Sequence, residues 1–110
     1  MTTFDEREKG EEARYALKKE LAFKMAARRN KLLGLWAAER LGLTGQDADA
    51  YAKQCVMADF EEPGDDDVFR KVMTDLKGAD AAVSEHDLRR KMDHLADTAR
   101  EQVEEETAKG

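Results

Sequence analysis

The chain reads as an all-α protein, a small four-helix bundle-like domain with a flexible N-terminal arm. Three observations carry that expectation. Charged residues make up 40% of the 110 residues and hydrophobic ones 41%, with a single Pro and an abundance of Ala, Leu, Lys, Glu and Arg; that is a helix-forming composition. Apolar residues recur at three- and four-residue spacing in four separate stretches. Glycine, proline and capping residues fall between those stretches, so each helix has a start and a stop. A chain of this length fits one domain that buries roughly two thirds of the surface its unfolded form exposes.

Met1 to Leu17 carries five acidic and three basic residues, and beyond Met1 its large apolar side chains are Phe4, Tyr15 and Leu17. It has little to bury, and Gly10 costs a helix about 1 kcal/mol relative to Ala, so this arm is expected to be weakly ordered. The first firm helix spans Lys18 to Leu41 and stops at Gly42, which tolerates the left-handed conformation common past a helix end. Leu21, Met25, Leu32 and Trp36 form one apolar stripe; Phe23, Ala26, Leu33, Ala37 and Leu41 form a second beside it. Thr44 is placed to cap the second helix, with Asp47 in its first turn. Ala48, Tyr51, Ala52, Cys55, Val56 and Phe60 line that helix. Glu61 to Gly64 end it, and Asp65, Asp66 and Asp67 open the third, whose apolar face is Val68, Phe69, Val72, Met73 and Leu76. A loop from Gly78 reaches Ser84, whose hydroxyl can cap the fourth helix; Asp87 holds the reciprocal position, and Val83 with Leu88 suits a hydrophobic staple. Leu88, Met92, Leu95, Ala99 and Val103 complete the pattern. The expected division is an arm at 1–17, a four-helix domain at 18–106 and a frayed tail at 107–110.

The net charge of −6 weighs against nucleic acid as a partner, because proteins that track phosphates present a basic surface. Charge is unevenly distributed. From Lys18 to Lys31 six Lys or Arg face one Glu, whereas Gln46 to Asp67 holds eight Asp or Glu and Lys53 alone, so the two stretches can attract each other across the fold. The lone Cys55 allows no internal disulfide, and no run resembles a signal peptide or membrane span. A cytoplasmic protein, monomeric when free and without membrane insertion, is expected.

No phosphate loop, dinucleotide turn or zinc spacing is present. His86 and His94 lie outside any Glu-x-x-His pattern, so no metal is expected. Cys55 falls on an apolar stripe, where a buried thiol is inert. The acidic residues from Asp59 to Asp67 lack the alternation of a calcium loop. No cofactor and no catalytic residue follow, and the chain is not expected to be an enzyme. Arg28, Arg29 and Lys31, beside Asn30, are either a solvated or ion-paired helix face or a contact for a partner or nucleotide.

The strings FDEREK at Phe4 to Lys9, ARRNKLLGLWAAE at Ala27 to Glu39, YAK at Tyr51 to Lys53 and ADFEEPGDDDVFRKV at Ala58 to Val72 resemble the bacterial ATP synthase inhibitor zeta subunit. The later LRRKM at Leu88 to Met92 is compatible. The resemblance implies a four-helix domain and an N-terminal arm that enters a catalytic interface of the F-type ATP synthase head, formed by its alpha, beta and gamma subunits, and blocks ATP hydrolysis. It makes Phe4, Arg7, Lys9, Arg14 and Tyr15 the arm's contacts. Where the family tends to place a His just after position 10 and a His-Asp pair at 17 and 18, this chain has Glu11, Leu17 and Lys18. Two other functions stay open on the residues: a helical adaptor, and a bundle that binds ATP or ADP weakly, either with little or no inhibitory activity.

Overall fold

The computed structural model describes the backbone of residues 2–59 and 65–109 and the side chains of 17–59 and 65–109. Four helices follow one another: α1 (Thr2–Arg40), α2 (Gly45–Ala58), α3 (Asp66–Gly78) and α4 (Glu85–Lys109). The expected class and helix count hold. The backbone of the expected arm continues α1 without a break, and Gly10 does not interrupt it. At 1.5 Å per residue, 39 residues give a rod of about 58 Å, which accounts for most of the 65 Å long axis of the molecule. Phe60, expected to end the second helix, and the Glu61–Gly64 break lie outside the described residues. The fourth helix continues past the expected end to Lys109, whose ammonium lies 3.0 Å from Glu105 one turn back and suits the negative end of the helix dipole.

Two helix ends use the same device. Gly42 has φ +78°; its N–H donates to the Glu39 carbonyl at 3.2 Å, and the Leu43 N–H donates to Ala38 at 2.9 Å, the paired bonds of a Schellman end. At the end of α3 the Asp80 N–H donates to Lys77 at 3.1 Å and the Ala81 N–H to Leu76 at 2.9 Å. The left-handed residue there is Asp80, at φ +57°, and not Gly78, which remains helical. Asp is among the few non-glycine residues that tolerate this conformation. Thr44 is extended and precedes α2 as expected, but its side chain makes no capping bond. The Ser84 hydroxyl does cap α4, accepting from the Asp87 N–H at 3.0 Å.

α1 touches all three other helices, most extensively α2 and α4. The fully buried large side chains are Leu33, Leu76, Leu88, Val68, Val72, Asn30 and Cys55. The stripes expected on α2, α3 and α4 supply Tyr51, Ala52, Cys55, Val68, Val72, Met73, Leu76, Leu88, Met92, Leu95, Ala99 and Val103 to the interior. On α1 the buried face is narrower and smaller-grained than expected: Leu33, Ala37 and Ala38 are at 0% exposure, while Trp36 and Leu32 are partly buried at its edge and Phe23 is exposed. The reason is a close helix crossing. A Cβ on Gly34 would stand 2.6 Å from the Ala52 Cα and 3.2 Å from the Cys55 Sγ. Small residues let α1 and α2 approach there, and a Trp ring cannot fit between them.

Candidate functional site

Four consecutive polar residues, Arg28 to Lys31, wrap one turn of α1, and the fold sends each somewhere different. Arg28 reaches α4: its Nη1 donates to Gln102 Oε1 at 2.9 Å, and its Nη2 lies 2.7 Å from Glu106 Oε1. Arg29 lies 3.8 Å from Asp65 at the start of α3, and its Nε donates to Asn30 Oδ1 at 3.1 Å. Asn30 is fully buried, with its Nδ2 unpartnered. Lys31 is exposed and lines a hollow of about 390 Å³ with Asp49, Ala52, Lys53 and Val56. The expected attraction between the basic and acidic stretches therefore takes the form of the Arg29–Asp65 pair. Arg28 pairs instead with the acidic end of α4.

Asp65 is shared. Arg89 of α4 lies 3.6 Å from it and 3.1 Å from Asp66, while its guanidinium stacks 3.9 Å above the Phe69 ring. One carboxylate thus joins α1 and α4 to the start of α3, where the helix dipole also favours negative charge. Phe4, Arg7, Lys9, Arg14 and Tyr15, expected as contacts of the arm, lie on the N-terminal part of α1, and their side chains lie outside those described.

Two features escaped the sequence reading. Trp36 sits beneath two cations, with the Arg40 guanidinium 4.1 Å and the Lys91 ammonium 5.9 Å from its ring centroid, a stabilising arrangement for an aromatic face. The i, i+4 spacing of Trp36 and Arg40 was the one local signal for it. The second is a polar knot between α2 and α3 around Tyr51, Cys55, Lys71 and Asp75. Burial pushes the Cys55 thiol up to about 11, with the Lys71 ammonium pulling the other way. Such a thiol is protonated and unreactive at neutral pH. Burial, then the hydrogen bond to Asp75, raises the Tyr51 hydroxyl well above its ordinary range. His86 and His94 are exposed. Among the described residues no group of His, Cys, Asp and Glu is arranged to hold a metal, and no helix is long and apolar enough to cross a membrane.

These contacts define a small all-helical protein whose charged side chains bind helix to helix, organised on one long helix. Compared with known families, residues 1–102 match the ATPase inhibitor subunit zeta. The chain belongs to that family, a family of inhibitor subunits, which supports a regulatory and non-catalytic role. Among solved structures, one determined by NMR in solution is similar, with 50% identity over 76% of this chain and 95% of that chain and a TM-score of 0.68. The comparison with curated proteins finds no match.

Proposed function

We propose that this protein regulates a bacterial F-type ATP synthase by blocking ATP hydrolysis, with residues 1–17 inserted into a catalytic interface of the head and residues 18–106 acting as the anchor. The family match, which runs through the arm as well as the bundle, carries this reading. A second feature supports it: the arm is the N-terminal continuation of α1, a helix that packs against α2 and α4. Sixteen residues at 1.5 Å each make a projection of about 24 Å, enough to reach into a cleft between subunits. Phe4, Arg7, Lys9, Arg14 and Tyr15 are its contacts with the alpha, beta and gamma subunits. The anchor keeps the arm at high effective concentration beside the cleft, so that a segment with modest affinity of its own blocks it reversibly.

The test is ATP hydrolysis by the cognate head with the intact protein, with a chain lacking Met1 to Leu17, and with the arm as a peptide. The intact protein should inhibit, the truncated one should remain helical without inhibiting, and the peptide should inhibit more weakly than the whole. Equal inhibition by the truncated and intact chains would remove the arm from the mechanism.

A further inference from the structure

Of the sixteen Lys and Arg residues whose side chains are described, half are held by carboxylates within the chain. They are Lys24, Arg28, Arg29, Arg70, Lys71, Arg89, Arg100 and Lys109, each within 4 Å of a carboxylate. Three of the other eight gather around Trp36. Arg40 from the last turn of α1 and Arg90, Lys91 and His94 from α4 surround an open hollow of about 430 Å³, with Trp36 in its lining and Asp87 as its single carboxylate. None of Arg40, Arg90 and Lys91 forms an ion pair with any described residue.

We propose that this hollow is a second docking surface, which takes an acidic, carboxylate-bearing segment of the protein that this chain inhibits. The proposal rests on the inhibitor reading above and specifies where the anchor holds. Guanidinium groups of Arg40 and Arg90 offer fork-shaped donors that carboxylates accept two at a time. Trp and Arg are the residue types that most often dominate binding energy at protein interfaces. The chain carries a net charge of −6, yet here three cations stand against a single carboxylate, so an acidic segment is drawn to this surface in a preferred orientation. Trp36 lies partly buried beneath two cations and gives an acidic segment an aromatic surface to pack on beside its charge partners. Trp36 lies nineteen residues, about 28 Å along the axis, beyond Leu17 on the same helix. Arm and hollow therefore grip the partner at two separated points, and each raises the effective concentration of the other.

The experiment compares the full-length chain with Arg90→Glu and Arg100→Glu. The two variants change net charge equally and lie on the same helix, about 15 Å apart. Helicity and thermal midpoint are checked first, and Arg90→Gln replaces Arg90→Glu if the latter does not fold. Affinity for the purified cognate head and inhibition of its hydrolysis are measured at low and high salt, alongside binding to vesicles of phosphatidylglycerol and phosphatidylcholine. The expected result is a Kd raised about tenfold by Arg90→Glu, with a matching loss of inhibition and a weaker salt dependence, against about twofold or less for Arg100→Glu. Equal shifts for both variants, or none for Arg90→Glu while the intact chain inhibits, overturn the hollow and leave the arm reading standing. Vesicle binding that Arg90→Glu abolishes, without effect on the head, reassigns the hollow to a membrane. Failure of the intact chain to bind or inhibit the head overturns both readings.

Discussion

The Tyr51 hydroxyl donates to Asp75 Oδ2 at 2.8 Å and so ties α2 to α3 across the interior. The same oxygen accepts from the Lys71 ammonium at 3.2 Å, and that ammonium lies 5.1 Å from the centroid of the Tyr51 ring. Tyr51→Phe keeps the ring and its packing but removes the donor. Asp75 retains Lys71, so the cost is that of one charge-assisted hydrogen bond, about 1–2 kcal/mol. A lower urea midpoint with an unchanged slope is the expected reading; an unchanged midpoint would show the bond to be energetically idle.

Cys55 makes the protein sensitive to alkali. Its thiol titrates near 11 in the fold against an ordinary value of 9.0, so above pH 9.0 the unfolded chain loses a proton that the folded one keeps. Stability is full below that pH and falls as pH rises toward 11, by on the order of 1 kcal/mol per unit. Tyr51, also raised, steepens the fall at the upper end. Urea midpoints measured from neutral pH upward should decline over this window, and the decline at its start should be shallower in Cys55→Ala.

The same substitution at two glycines should act in opposite directions. Gly34→Ala places a methyl 2.6 Å from the Ala52 backbone, which cannot yield without moving α2; a net loss of about 1–3 kcal/mol follows. Gly78 is helical with nothing within 4 Å of the added methyl, so Gly78→Ala gains helix propensity, up to about 1 kcal/mol. Thermal midpoints below and above that of the parent chain are expected, and movement in the same direction would contradict the close α1–α2 crossing.

Trp36 should matter less to stability than its size suggests. Leu76 is fully buried, and Leu76→Ala should cost about 2–5 kcal/mol. Trp36 is only partly buried under Arg40 and Lys91, so Trp36→Ala should fall below the roughly 3 kcal/mol at which buried aromatic truncations begin. Denaturant unfolding of the two variants decides the order, and fluorescence of Trp36, the single Trp, should report a partly hydrated indole.

Periodicity was enough for α2, α3 and α4 because each has one apolar stripe with polar residues elsewhere, so that Val72 with Leu76, or Leu88 with Met92, can face only one way. α1 was harder. Its apolar residues encircle much of the helix, and the buried face was chosen by how closely α2 approaches Gly34, a tertiary fact with no local trace. Ser84 was legible as a cap because its hydroxyl needs only its own next turn. Asp80 was not, since Gly78 two residues earlier carried the stronger local signal. The partners of Arg28 lie more than seventy residues away, and the charge counts that anticipated the Arg29–Asp65 pair gave no sign of them. The hollow at Trp36 is assembled from two helices and left no motif, whereas the proposed arm contacts rest on family resemblance alone.

Because the arm and the buried face belong to one uninterrupted helix, the bundle sets the arm's angular phase as well as its position. Each residue added between them turns everything on its N-terminal side by about 100° while moving it only about 1.5 Å. Two inserted residues would leave the reach of the arm almost unchanged and point its proposed contact face nearly backwards; seven would restore the original direction to within about 20°. The spacing between Leu17 and Asn30 therefore works as an angular setting.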